Sequence, residues 1–184
     1  MPDHPLKGKW QTDFFKNSHP LTLELGCGRA EYTVGLSAIF PARNFIGIDW
    51  KGARIWRGAK TTLDNGQTNT AFLRIMIGTI AAFFSKEDQI KDLWITFPDP
   101  QLRWSKAKKR LTHPKFLRLY QQFLKKEGIV HLKTDSPLLY NFTLKVIEMY
   151  GLDLIYKTDH LYAEQNIDPR CLIKTYYEGL DIAQ

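Results

Sequence analysis

The sequence predicts an α/β fold: a mostly parallel sheet with helices packed on both faces. Two observations carry this. Apolar runs of strand length alternate with helical stretches along the whole chain, and Gly or Pro punctuates the ends of many of them. That alternation is the signature of strands joined by helical crossovers, which cover a parallel sheet on both sides. A third observation supports one domain over residues 1–184: no internal repeat, low-complexity segment or linker interrupts the pattern.

The elements follow in order. "LTLEL" at 21–25 reads as a strand ending in Gly26, and residues 30–39 as a helix stopped by Pro41. "NFIGID" at 44–49 is a second strand, 51–63 a second helix and "DNGQTN" at 64–69 a turn. "AFLRIMI" at 71–77 and "LWITF" at 93–97 are the third and fourth strands. Pro114 opens a helix expected to run to about Lys126, and "GIVHLKT" at 128–134 is a fifth strand. Ser136 followed by Pro137 is an N-cap with proline at the first helical position, so a helix is expected to about Tyr150. "LDLIYKT" at 152–158 and "CLIKTYYE" at 171–178 are expected to close the sheet as its sixth and seventh strands.

Composition narrows the function classes. Hydrophobic residues make up 43% of the 184, ample for a core. No apolar run approaches the ~20 residues of a membrane-spanning helix, and "MPDHPLKGKW" lacks the apolar stretch of a secretory signal. Cys27 and Cys171 are too few for a disulfide framework and lack metal-ligand spacing, so a reduced, cytoplasmic protein without a metal is expected. The formal charge is +7, and the basic residues cluster: Arg103, Lys106, Lys108, Lys109 and Arg110 lie within eight positions. Such a cluster attracts phosphate backbones by counterion release, although a solvated basic face is the plain alternative.

In open parallel sheets, ligands bind beyond the carboxyl ends of the strands. Candidate residues stand there. After the first strand comes "LELGCGRAEYT", with Glu24, Gly26 and Gly28. Asp49 ends the second strand about twenty residues later, where a carboxylate can accept both ribose hydroxyls of a nucleoside. This spacing suits NAD or S-adenosylmethionine. Glu31 stands where a dinucleotide fingerprint wants a third glycine, and Glu24 suits the cationic amino group of a methionine better than a pyrophosphate. A tight structural turn beside an exposed Asp is the plain alternative. "FPDP" holds Asp99 between two prolines at the end of the fourth strand. Asp135 follows the fifth strand, where helix capping and a ligand site are both open to it. Trp56 and Trp104 fit core, interface or base stacking equally.

Taken together, "LELGCG", "FIGID", "FPDP" with a basic run ending in "KKRL", "HLKTD" and "TYYE" resemble the bacterial tRNA (guanine-N7-)-methyltransferase family from about Leu21 to Glu178. The resemblance implies a Rossmann-like class I methyltransferase fold with a mostly parallel seven-stranded sheet. It implies a cofactor half at about 20–100 and a substrate-facing half at about 100–184. S-adenosyl-L-methionine is the implied cofactor, held by Glu24, Gly26, Gly28, Asp49, Gly78 and Asp99. tRNA is the implied partner, held by Arg103, Lys106, Lys108, Lys109, Arg110, Asp135, Thr175, Tyr177 and Glu178, in a monomer or homodimer with no membrane role. Asp135 and Asp99 are the implied catalytic pair, acting on N7 of a variable-loop guanosine. Ala30, Gly78 and Gln101 depart from the residues that family members commonly carry at those places. A methyltransferase for another RNA, a protein or a small molecule, a nicotinamide-dependent dehydrogenase and a non-catalytic RNA-binding relative are the competing classes.

Overall fold

The computed structural model describes residues 2–176 and residue 178. Among them, five parallel strands form one sheet in the order β3-β2-β1-β4-β5. These are β1 (Leu21–Leu25), β2 (Asn44–Asp49), β3 (Thr70–Arg74), β4 (Ile90–Thr96) and β5 (Leu124–Lys133). The helices are α1 (Glu31–Ile39), α2 (Gly52–Asp64), α3 (Pro114–Tyr120) and α4 (Pro137–Met149). The strand order reverses between β1 and β4, the place where such sheets open a crevice for a ligand.

Side-chain parity builds the two faces. Leu21, Leu23 and Leu25 of β1, Ile46 and Ile48 of β2, and Leu93 and Ile95 of β4 share one core with Trp10, Phe84, Phe116, Tyr120 and Phe123. Phe45 and Trp94 fall on the other parity and pack with Tyr32 and Leu36 of α1. The central strands β1, β2 and β4 are buried on both sides almost throughout, as their near-continuous apolar runs anticipate, whereas β3 and β5 at the sheet edges are partly exposed.

The seven-stranded expectation is corrected. Residues 152–158 form no strand; Leu154, Ile155 and Tyr156 are 46%, 71% and 57% exposed. Leu152, Leu154 and Tyr156 share one parity, so the pattern itself permits a strand, but no described ladder receives it. The described part of 171–178 is a short 3-10 turn (Pro169–Leu172) and an irregular stretch, held by side-chain anchors. The helix expected from Pro114 to about Lys126 ends at Tyr120, and the chain re-enters the sheet at Leu124. Pairing then jumps from Ile90↔Leu124 to Asp92↔Ile129, a wide irregularity. Gly128 permits it, because a Cβ there would lie 2.4 Å from Leu124 Cγ. The third strand stops at Arg74, with a 3-10 segment (Ile77–Ala82) following.

Candidate active site

The first ligand loop is built by its neighbours. Gly26 and Cys27 both donate their amides to the Ile48 carbonyl, at 2.8 and 3.0 Å, which ties the end of β1 to the end of β2. Gly26, Gly28 and Ala30 have φ of 71°, 55° and 63°, so three left-handed residues turn the chain into α1. Asp49 then braces the turn: its Oδ2 accepts the Gly28 amide and its Oδ1 the Lys51 amide, both at 2.9 Å. A Cβ added at Gly28 would meet nothing within 4 Å. The backbone therefore borders open space beside a carboxylate, which fits a nucleoside lying against the loop.

Glu24 is buried under that loop, 3% exposed. Its Oε2 accepts the amide and hydroxyl of Thr33, and its Oε1 accepts the hydroxyl of Thr96 across the switch point at 3.3 Å. Burial pushes its carboxyl up to about 7, against which the bonds from Thr33 and Thr96 pull. The Cys27 thiol is also pushed well up by burial and by neighbouring carboxylates, which leaves it inert.

The proline corner is strained. Phe97 and Gln101 both have positive φ, 45° and 50°, on either side of Pro98-Asp99-Pro100. Non-glycine residues hold such angles only where the surroundings impose them. Here Phe97 donates its amide to the Lys133 carbonyl at 2.8 Å, and Gln101 donates its amide to Asp99 Oδ1 at 2.9 Å. Arg110 completes the frame. It is 1% exposed, and its guanidinium donates to the carbonyls of Pro100 and Gln101 at 3.0 and 3.1 Å. Arg110 is thus a brace for the corner, whereas Arg103, Lys106, Lys108 and Lys109 are exposed on or next to the 3-10 segment Trp104–Lys109. Trp104, 81% exposed, stands among them.

Asp99 and Asp135 leave adjacent strands at the same end, since Thr96 of β4 is level with Lys133 of β5. Both are exposed. The helix-capping alternative for Asp135 falls to its neighbour: Ser136 Oγ accepts the Leu139 amide. Thr175 is 7% exposed and donates its amide to Glu178 Oε2 at 2.8 Å. The stretch carrying it crosses to the glycine loop, where the Tyr176 amide donates to Glu31 and the Arg29 guanidinium lies 3.4 Å from the Tyr176 ring centre. Tyr177 lies outside the described residues. Gly78 sits on an exposed 3-10 turn after β3 with open space at its Cβ position.

Sequence reasoning missed Lys133. Its ammonium is 2.7 Å from Glu178 Oε1 and donates to the Tyr162 hydroxyl and the carbonyls of Cys171 and Ile173. A lone Lys in "HLKTD" carries no mark that it will be buried against an acid 45 positions later. It missed Arg29 and Tyr176 for the same reason. Trp56 is 62% exposed on α2 and takes no part in the core.

The arrangement suits S-adenosylmethionine: an open glycine turn, one carboxylate at the end of β2 and another at the switch point. Comparison with known proteins agrees. A family model described as a putative methyltransferase matches residues 18–179. A curated tRNA (guanine-N(7)-)-methyltransferase of Porphyromonas gingivalis is 53% identical over 95% of this chain and 70% of its own length. One of Bacteroides fragilis is 50% identical over 94% and 68%. Among solved structures, an antibiotic-related methyltransferase superposes with a TM-score of 0.60 at 16% identity, over 90% of this chain and 86% of that one. That likeness bears on the fold alone. With half of its residues shared with curated relatives along nearly its whole length, the chain belongs to the tRNA (guanine-N7-)-methyltransferase family.

Proposed function

We propose that the chain methylates N7 of a variable-loop guanosine in tRNA, with the site residues divided between cofactor and base. The observation carrying this division is that Asp99 and Asp135 emerge exposed from adjacent strands at the end of the sheet that bears the braced glycine turn, with an exposed basic run following Asp99 in the chain. When bound, S-adenosylmethionine supplies an electrophilic methyl group on a sulfonium. Gly26 and Gly28 present backbone to it, Asp49 exchanges an amide bond for its ribose hydroxyls, and Glu24 supplies buried negative charge under the loop. Gly78 borders the adenine side, and Asp99 lines the floor shared by cofactor and base. Residues 20–100 form the cofactor half and 100–184 the substrate-facing half of one domain.

Guanine N7 carries a free lone pair at neutral pH, so no strong base is needed to expose it. The task is alignment at ~3 Å, and positioning of this kind contributes roughly 7–11 kcal/mol. Asp135 accepts the guanine N1–H and amino group, which orients N7 and offsets the positive charge that grows on the purine. Thr175 and Glu178 close the site from the far side, with Tyr177 in the same stretch. Arg103, Lys106, Lys108 and Lys109 hold phosphates around a base displaced from its stack. Arg110 acts on the tRNA side only through the corner it braces. Among the described residues no helix is long and apolar enough to cross a membrane; we assign the protein to the cytoplasm, as a monomer or homodimer.

The test is to incubate the protein with methyl-labelled S-adenosylmethionine and unmodified tRNA, digest the RNA and map the product. Label in 7-methylguanosine at one variable-loop position is expected. Label in another nucleoside, or none in RNA, overturns the proposal.

A further inference from the structure

Lys133 is the last residue of β5, two positions before Asp135, and its ammonium is placed unlike any other in the described chain. Three protons meet four oxygens: Glu178 Oε1 at 2.7 Å, the Tyr162 hydroxyl at 3.0 Å, and the carbonyls of Cys171 and Ile173 at 3.0 and 3.2 Å. The pair is enclosed, with side chains 11% and 8% exposed for Lys133 and Glu178. Three ring centres surround the charge, Tyr32 of α1 at 5.6 Å, Phe97 of the proline corner at 5.7 Å and Tyr162 at 5.2 Å. The Lys133 carbonyl also accepts the Phe97 amide. One residue thus contacts the base-side strand, the strained corner, α1 and the segment that carries Thr175.

We infer that Lys133 is a positioning residue for the methyl transfer: its buried ammonium sets Glu178, and through it Thr175, at a fixed register to Asp135 and the glycine loop. The inference rests on the proposed assignment of Thr175, Glu178 and Asp135 to the site. It goes beyond a simple stability role because an exposed ion pair would do little, whereas this one joins four separate segments at the mouth of the sheet. Glu178 Oε2 accepts the Thr175 amide at 2.8 Å while Oε1 takes Lys133, so displacement of the carboxylate displaces Thr175.

The pair also has a titration signature. Burial alone would raise the Glu178 carboxyl. The bond and charge of Lys133, with the bonds from the Thr175 amide and Tyr162, prevail and hold it below the ordinary range. The titratable groups facing it are Lys133 from β5, Tyr162 from the turn Leu161–Ala163 and Tyr32 from α1, while Cys171 and Lys174 of its own segment stand against Tyr162. Without Lys133 no cation of that set adjoins the carboxylate as closely, so Glu178 takes up a proton at higher pH.

The experiment compares wild-type protein with Lys133→Met, Lys133→Arg and Tyr162→Phe on unmodified tRNA, measuring kcat, KM for each substrate and the pH profile. For Lys133→Met, kcat is expected to fall on the order of 10²-fold, the cost of misplacing reacting groups by about 1 Å. KM for S-adenosylmethionine should hold, and the acid limb of the profile should move to higher pH. Lys133→Arg should restore part of kcat, since it keeps the charge but replaces a point donor by a planar fork. Tyr162→Phe should lose less than Lys133→Met. A wild-type kcat and pH profile in Lys133→Met overturns the inference. If that variant fails to melt cooperatively, the other two decide, and wild-type kcat in both overturns it. Absence of transfer by the wild-type protein would instead strike the proposed function itself.

Discussion

The carboxylate of Glu24 accepts both the amide and the hydroxyl of Thr33, at 2.7 and 2.6 Å, so the end of β1 and the start of α1 are joined through one buried acid. Its folded pKa of about 7 exceeds the ordinary 4.5. Between those values the folded state binds more protons than the unfolded chain, so stability falls as pH rises through that window. The fall amounts to roughly 3 kcal/mol at 1.36 kcal/mol per pKa unit. Glu24→Gln should remove it: the amide oxygen can face Thr33 and the amide nitrogen can donate to Thr96. Thermal melts at pH 5 and pH 8 are expected to show the variant gaining on wild type at the higher pH. A cation bound above the loop favours the ionised acid. S-adenosylmethionine affinity should therefore rise through pH 7 with proton release in wild type, and stay flat in the variant. Calorimetry in two buffers of different ionisation enthalpy checks this.

Asp135 separates base orientation from cofactor binding. It is exposed, Ser136 does the capping, and no described residue donates a hydrogen bond to its carboxylate. Asp135→Ala should leave the fold and the cofactor affinity near wild type while kcat on tRNA falls on the order of 10²-fold or more. Wild-type turnover in this variant would remove Asp135 from the base-binding role.

How much of this was legible in the sequence depends on the range of the interaction. β1 and β2 match their apolar runs to the residue, and the glycine turn, Asp49, Asp99 and Asp135 all fall at strand ends where periodicity places them. Those features are local. The closing segment is not: it is fixed by Lys133, Arg29 and Glu31, whose partners lie far along the chain. An apolar run with β-branched and aromatic residues then reads as a strand, although no ladder receives it. Arg110 shows the same limit from the other side. In the sequence it is one of five cations in a run; in the fold it is the buried one.

That difference within the basic run gives a paired prediction. Lys106, Lys108 and Lys109 are exposed, so replacing all three by Ala should leave stability within ~0.5 kcal/mol of wild type. It should also lower the slope of log affinity for tRNA against log salt by about 2, at roughly 0.7 per single-strand phosphate contact. Arg110→Ala removes instead the donor to two carbonyls of a corner that carries two left-handed non-glycine residues. It should cost about 3 kcal/mol in urea unfolding, as loss of a buried charged brace does. An unchanged salt slope in the triple variant would move the RNA surface elsewhere. An unchanged urea midpoint in Arg110→Ala would mean that the corner holds itself.

At the opposite end of the sheet, Asp92 holds the closing segment from below. It is 1% exposed, pairs with Arg43 at 2.9 Å and His131 at 2.8 Å, and lies 3.7 Å from Arg170 of the turn Pro169–Leu172. Burial would raise its carboxyl, but the bond from His131 and the charges of His131, Arg43 and Arg170 prevail and hold it below the ordinary 3.8. The folded value is depressed, so its stabilisation is present above pH 3.8 and lost as pH falls through the folded value. This slope is opposite in sign to that of Glu24 and lies at lower pH, which places maximum stability on the acid side of neutrality if the two dominate. Asp92→Asn keeps the shape but leaves Arg43 without its counter-charge and Arg170 with Asp168 alone. It should cost about 3 kcal/mol at pH 6 and progressively less toward pH 3. Urea midpoints across that range check it: a cost independent of pH would show that the hydrogen bonds, rather than the charge of Asp92, secure this end of the segment.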